Sequence, residues 1–177
     1  MVKEVVTRFA PSPTGYLHIG GVRTALFNYI FAKKNQGKFL VRIEDTDKER
    51  SEDQFIDAIM EGLDWVGLNP DFDPIKQSER FDIYKEEATR LIDLGKAYED
   101  EGAVRLQVKR EGSTLVKDLV YGDIEFLNSE LDDIVILRSD GSPTYHFCNV
   151  IDDNSQGVSH IIRGEDHLPN TPKQIQI

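Results

Sequence analysis

The sequence predicts an α/β fold, a parallel sheet with helices that is interrupted by an inserted antiparallel β segment. Three observations predict it. Apolar, strand-like runs at residues 5–10 and 39–43 bracket a stretch of helical periodicity. Two further stretches with helical spacing follow. After Tyr98 the texture changes to short alternating runs separated by turn residues. At 177 residues the chain suits one domain, or one domain with an insertion, and can bury about two-thirds of its unfolded surface.

Val5-Val6-Thr7-Arg8-Phe9-Ala10 is mostly apolar and rich in β-branched residues, so it reads as a strand. Pro11-Ser12-Pro13-Thr14-Gly15 ends it, because two prolines and a glycine extend neither a ladder nor a helix. From Gly20 the period becomes helical, and Val22, Ala25, Leu26, Tyr29 and Ile30 fall on one face, the expected buried one. Gly37 stops this helix after the basic pair Lys33-Lys34. Phe39-Leu40-Val41-Arg42-Ile43 is the next strand, with Glu44-Asp45-Thr46-Asp47 at its end, and strand–helix–strand implies a parallel pair with a right-handed crossover. Ser51 and Gln54 have capping-box spacing for a second helix whose buried face is Phe55, Ile56, Ile59, Leu63 and Val66. Residues 67–79 read as a loop, and a third helix runs from about 79 to 94 with Tyr84, Ala88, Leu91 and Ile92 on one side and Gly95 as its stop.

The antiparallel segment is expected at 104–108, 124–126 and 134–137, with turns at Gly122 and Asp140-Gly141. Residues 145–153 are expected to be helical. Residues 158–163 read as a buried strand that rejoins the first sheet, and Asn170-Thr171-Pro172 as a helix start. Only five residues follow, so the natural protein is expected to continue beyond Ile177. The implied division is 1–97 and 144–177 for the two parts of one domain and 98–143 for its insertion.

Composition limits the function. With 21 Lys+Arg against 32 Asp+Glu the net charge is -11, which argues against nonspecific nucleic-acid binding but leaves room for a local basic patch. A single cysteine, Cys148, excludes an intramolecular disulfide framework and a Cys-rich zinc site. No apolar run approaches a membrane span and the first residues lack a signal-peptide stretch, so a cytoplasmic protein without a membrane partner is expected.

The chemistry concentrates where the first strand meets the first helix, the place where open α/β sheets bind ligands. There Pro11, Ser12, Thr14, Gly15, His18, Gly20 and Gly21 are candidates to bind a nucleotide. The helix N-terminus offers N–H groups to phosphates, the glycines allow close approach, and the His18 imidazole is a further donor. The pattern is neither GxGxxG nor a Walker loop.

Arg8-Phe9-Ala10-Pro11-Ser12-Pro13-Thr14-Gly15, followed by His18-Ile19-Gly20-Gly21, resembles the first landmark of the class I aminoacyl-tRNA synthetases, in particular the bacterial glutamyl-tRNA synthetase family. Arg42-Ile43-Glu44-Asp45-Thr46-Asp47, Gln77-Ser78-Glu79-Arg80, Gly95-Lys96-Ala97-Tyr98, Leu131-Asp132-Asp133, the segment 139–145, Ile162-Arg163-Gly164-Glu165-Asp166-His167 and Asn170-Thr171-Pro172-Lys173-Gln174 match further landmarks in family order. The resemblance implies a class I Rossmann-like sheet and a two-step reaction. Glutamate attacks the α-phosphorus of ATP, and glutamyl-adenylate then esterifies the 3′ end of tRNA.

It also implies roles. His18, Gly20 and Gly21 would act on the phosphates, with Mg2+ accompanying ATP. Arg8, Ala10, Ser12, Glu44, Tyr145, Asn149 and Arg163 would bind glutamate, with Arg8 on the side-chain carboxylate and Glu44 on the ammonium group. The structural alternatives are an ion pair for Arg8 or Glu44 and a packed core aromatic for Tyr145. Arg105, Lys109, Arg110 and Lys117 are candidates for tRNA phosphates, or an ordinary solvated strand face. The pattern departs from the family after Tyr98, where the usual longer insertion is shortened and zinc is not expected. The lysine-rich catalytic loop and the anticodon-binding region lie beyond Ile177, so weak activity is expected of this chain alone, and a monomer of the full-length protein. A paralogue that glutamylates a tRNA base and a noncatalytic nucleotide- or glutamate-binding module are the alternatives.

Overall fold

The computed structural model describes residues 4–47 and 51–177; the first three residues, read above for a leader, and residues 48–50 lie outside them. The chain divides into two compact units, residues 1–80 with 153–164, and residues 81–152 with 165–177.

The first unit holds β1 (Val6–Phe9), α1 (Ile19–Lys34), β2 (Lys38–Ile43), α2 (Asp53–Trp65), β3 (Ile75–Lys76) and a 3-10 turn at Gln77–Arg80. Its sheet is parallel in the order β1-β2-β3, with Val6 opposite Lys38 and Arg42 opposite Ile75. β3 lies inside the expected 67–79 loop, since two residues leave no alternation to read. Phe9, Phe39, Val41 and Ile43 pack with Ala25, Ala32, Ile59 and Leu63 into the core. Period two sends Arg8, Leu40 and Arg42 to the other face of the sheet, and all three are also buried.

The buried face of α1 differs from expectation. Leu26 and Ile30 are exposed, and the inward residues are Ala25, Asn28 and Ala32. The small alanines let the helix approach the sheet, and Asn28 is held from several sides. Its Nδ2 donates to the Thr24 and Ile162 carbonyls, both at 2.9 Å, and its backbone carbonyl accepts from Thr7 Oγ1 at 2.9 Å, while its buried Oδ1 has no hydrogen-bond partner among the described residues. A polar residue wins an inward position because distant backbone supplies its acceptor.

The C-terminus of α1 closes by a Schellman arrangement. Gly37 N–H donates to Ala32 O at 2.9 Å and Gln36 N–H to Lys33 O at 3.1 Å. The left-handed residue is Gln36 (φ 56), not Gly37. Gly37 is required for a different reason: a Cβ there would overlap the Val5 carbonyl, which accepts from Lys38 N–H at 2.8 Å.

The expected capping box of α2 does not form. Glu52 is the N-cap residue without a side-chain cap bond, and Gln54 donates to its carboxylate instead. Glu52 N–H donates to Pro13 O at 3.3 Å, so the loop after β1 sets the entry to α2 and Ser51 falls one residue too early. Val66, expected on the buried face, is exposed at the helix end.

Residues 158–163 are not a strand. Ser159 and His160 N–H both donate to the one Val6 carbonyl, at 2.9 and 3.2 Å, and Val6 N–H donates to Ser159 Oγ at 2.8 Å. A side chain and a doubly used carbonyl take the place of a ladder.

The second unit holds α3 (Phe81–Asp93), β4 (Ala97–Asp100), β5 (Ala103–Leu106), β6 (Ser113–Asp118), β7 (Gly122–Leu127), β8 (Ile134–Leu137), most of α4 (Tyr145–Ser155) and α5 (Thr171–Gln176). The expected antiparallel segment is present as two sheets, β4-β5-β8 and the hairpin β6-β7. β5, β7 and β8 fall on the expected runs, whereas β4 and β6 were not expected. Tyr84, Ala88, Leu106, Ile136, Phe147 and Cys148 lie in its core. β4 and β5 are joined by Glu101 (φ 48) and Gly102 (φ 83), two left-handed residues with Asp100 opposite Ala103, as in a type I′ hairpin. Among the described residues no helix is long and apolar enough to cross a membrane.

Candidate functional site

In the first unit the loops after β1 and β2 meet. Glu44 N–H donates to Pro11 O at 2.9 Å, which puts Glu44 beside the Pro11–Gly15 turn. Pro13 is buried in this turn, Pro11 and Gly15 are half-buried, and Ser12 and Thr14 are exposed. Thr14 N–H donates to Ser12 O at 2.9 Å, so the loop is internally fixed. Ala10 is half-buried directly after β1. The loop after β2 is tied to the turn after β3, where Asp45 accepts from Ser78 N–H at 2.8 Å and from Ser78 Oγ at 2.6 Å. Two of the sequence landmarks thus meet through one carboxylate.

His18 is the N-cap residue of α1, with its Nδ1 accepting from Gly20 N–H at 3.2 Å. In the neutral ring this puts the proton on Nε2, so the exposed side of the imidazole is a donor. The cap uses the Gly20 amide, and Ile19 and Gly21 are the first-turn amides that His18 does not cap. A Cβ at Gly20 would stand 3.0 Å from the His18 ring, and one at Gly21 would stand 2.9 Å from the end of the Leu17 side chain.

Arg8 is 4% exposed. Its Nε donates to Asp153 Oδ1 at 3.0 Å, and among the described residues this is its one polar partner. Arg42, fully buried, donates from Nη1 to the same Asp153 oxygen at 2.6 Å and to Gln156 Oε1 at 3.1 Å. Arg42 Nη2 lies 3.5 Å from Glu44 Oε1. Two guanidinium groups and two carboxylates therefore form one network on the sheet. Sequence reasoning named Arg8 and Glu44 but missed Asp153 and Gln156. The available signal was an acidic pair, Asp152-Asp153, in a helix's last turn, where negative charge is disfavoured. Arg163, expected at a strand end, is half-buried in the irregular 158–164 segment.

In the second unit Asn149 is 2% exposed and its Nδ2 donates to Tyr145 O at 3.3 Å. The half-buried Tyr145 ring lies 5.2 Å from His146 and 6.3 Å from His167. Of the four basic candidates Arg105 lies on β5 and Lys117 on β6, with Lys109 and Arg110 in the loop between them. Arg105 on β5 pairs with Asp100 at 2.6 Å, and Arg110 lies 3.6 Å from Asp132 and 3.8 Å from Asp133. Lys109 is exposed in the following loop, and Lys117 is exposed on β6 opposite Asp123. The Asp133 carboxyl is held below the usual carboxylate range by hydrogen bonds from Tyr98 Oη and Val108 N–H, so Arg110 faces a carboxylate that is ionised at neutral pH. Among the described residues no group of three or more His, Cys, Asp or Glu side chains is arranged to hold a metal ion.

The first unit is thus a parallel α/β domain whose first strand–helix junction carries a capping histidine and whose first strand carries a buried arginine. A family model described as tRNA synthetases class I (E and Q), catalytic domain, matches residues 4–103 and 99–177, and the chain belongs to this family. It is 47% identical to the glutamate–tRNA ligase of Thermodesulfovibrio yellowstonii, with 98% of this chain and 45% of the relative covered. It is 45% identical to glutamate–tRNA ligase 1 of Caldanaerobacter subterraneus, with 100% and 46% covered. The crystal structure of a glutamate tRNA ligase from Elizabethkingia meningosepticum, in complex with its amino acid, superposes with a TM-score of 0.86 at 33% identity and covers 97% of this chain and 46% of that one.

The chain spans less than half the length of these relatives. The first match runs over 209 aligned positions although the chain has 177 residues, so the relative carries extra residues inside the matched span. The two pieces of the family match meet at 99–103, which is the β4–β5 turn. A tight two-residue connection thus stands where the family pattern is interrupted.

Proposed function

We propose that this chain is the N-terminal catalytic part of a glutamate–tRNA ligase and that its first unit binds ATP and L-glutamate side by side. The observation that carries the reading is Arg8. A guanidinium that is 4% exposed, with Nε its one engaged donor among the described residues, leaves two terminal Nη groups open to an acceptor. A carboxylate matches that pair bidentately. Glu44, beside the Pro11 loop, supplies the opposite charge for an α-ammonium group. The amino acid's α-carboxylate is then free to attack the α-phosphorus of ATP, forming an acyl–oxygen–phosphorus link as pyrophosphate leaves.

His18 Nε2–H and the first-turn amides of α1 hold the phosphates and stabilise the charge that develops on the leaving group. Magnesium enters with the nucleotide, held by its phosphates. No protein nucleophile is required, since orientation and charge stabilisation suffice. In the first unit Ala10, Ser12 and Arg163 join amino-acid recognition on the strength of the resemblance, which names Tyr145 and Asn149 as well. Transfer to the 3′ end of a glutamate-accepting tRNA is the second step. Its contacts fall first to Lys109 and Lys117, because Arg105 and Arg110 already face carboxylates.

ATP–pyrophosphate exchange tests the reading: exchange that depends on glutamate supports it. Binding of ATP and glutamate without any exchange supports a binding module instead. A tRNA-binding titration across salt tests the second step, and affinity that does not change with salt removes the phosphate contacts.

A further inference from the structure

Asp153 lies in the last turn of α4, preceded by Asp152, and that turn contains no basic residue. Two acids at a helix C-terminus oppose the helix dipole, so local energetics disfavour them. Each has a tertiary partner instead. Asp152 Oδ2 accepts from Tyr84 Oη at 2.7 Å, and Asp153 Oδ1 accepts from Arg8 Nε at 3.0 Å and Arg42 Nη1 at 2.6 Å.

The two guanidinium groups of this network differ in how firmly they are held. Arg42 is anchored by Asp153, Gln156 and Glu44 together. Arg8 is anchored by Asp153 alone among the described residues. An arginine stem has many rotamers, and a single charge-assisted bond through Nε selects among them. It also fixes the plane of the guanidinium and leaves the terminal Nη pair as two parallel donors. The same oxygen is shared with the fully buried Arg42, which ties that anchor to the sheet.

We propose that Asp153 is a positioning residue for amino-acid selection. It holds Arg8 by Nε so that the Nη pair is presented to the substrate's side-chain carboxylate, and it thereby sets the preference for glutamate over its amide. This rests on the reading of Arg8 above. Charge accounting within the network agrees: the two guanidinium groups of Arg8 and Arg42 face the two carboxylates of Asp153 and Glu44. Discrimination then depends on the geometry of one donor pair.

The test is calorimetric titration of the 177-residue chain with L-glutamate, L-glutamine and ATP, for the wild type, Asp153→Ala and Asp153→Asn. Asp153→Ala is expected to weaken glutamate binding about 10- to 100-fold, the loss typical of a charged hydrogen-bond partner, to leave ATP within about twofold, and to shrink the glutamate-to-glutamine preference. Asp153→Asn, which keeps Oδ1 as an acceptor and preserves volume, is expected to recover part of both affinity and preference. Asp153→Ala with wild-type glutamate affinity and preference would overturn the positioning role alone. Parallel losses of glutamate and ATP in Asp153→Asn would overturn it in favour of a purely structural ion pair. A wild type that binds ATP but does not distinguish glutamate from glutamine would overturn the reading of Arg8 and this inference with it.

Discussion

Single side chains carry two separable jobs at the strand–helix junction, and substitutions can divide them. His18 both caps α1 and offers Nε2–H outward. His18→Asn preserves a capping acceptor but not the ring, so nucleotide affinity is expected to fall while the melting temperature holds. His18→Ala is expected to lose both, with about 1 kcal/mol of stability going with the cap. Equal ATP affinities in wild type and His18→Asn, measured by titration, would remove the ring from the site. For Arg8 the expected outcome of Arg8→Ala is a large loss of glutamate binding with ATP binding nearly kept. Calorimetry that finds equal losses for both ligands would remove its role as carboxylate partner. Arg8 and Glu44 were named from the sequence because open α/β sheets bind ligands at their strand ends. Asp153 was not, because its partners are far away in sequence and the one local signal, an acidic pair in a helix's last turn, does not say which distant arginines hold it.

At the scale of elements, the end of α1 separates conformation from close approach. Gln36 holds the left-handed position and Gly37 the crowded one. Gln36→Gly is therefore expected to stabilise the chain by about 0.5–1 kcal/mol. Gly37→Ala is expected to destabilise it by about 1–3 kcal/mol, because the new methyl group must displace backbone at Val5. Thermal melts of the two variants should move in opposite directions, and a common sign would contradict this assignment. The same comparison shows what element reading can achieve. Helix stops, the parallel pair β1-β2 and the antiparallel segment were legible from periodicity and turn residues. β3 and the false strand at 158–163 were not: the first is too short to have a period, and the second is apolar enough for a strand but spends its amides on one Val6 carbonyl.

At the scale of the whole molecule, stability should depend on pH through Asp71. Its carboxylate accepts from Lys33 Nζ at 2.7 and 2.8 Å and from Phe39 N–H at 2.7 Å, which ties the end of α1 to β2. Partial burial pushes the Asp71 carboxyl up, but these hydrogen bonds outweigh it and hold the group below its ordinary value. A carboxyl lowered in the folded state binds fewer protons there than in the unfolded chain. Its contribution is thus complete above about pH 4 and is lost as pH falls through the lowered folded value. Asp71→Asn is expected to cost about 1 kcal/mol or more at neutral pH, and the gap to the wild type should narrow in melts below about pH 4. A gap that stays constant with pH would assign the effect to packing.

The order of elements, the junction that carries the nucleotide-binding candidates and the family to which the chain belongs were determined by the sequence alone, because they rest on local periodicity, turn chemistry and contiguous motifs. Tertiary structure alone decided that α1 turns Asn28 inward instead of Leu26 and Ile30, that two arginines share Asp153, and that Arg105 and Arg110 spend their charge on neighbouring acids. For the third the reason is the nearness of opposite charges at the surface, and for the first two it is the cost of burial. A buried polar or charged group is stable only where a partner stands, and folding brings that partner from elsewhere in the chain.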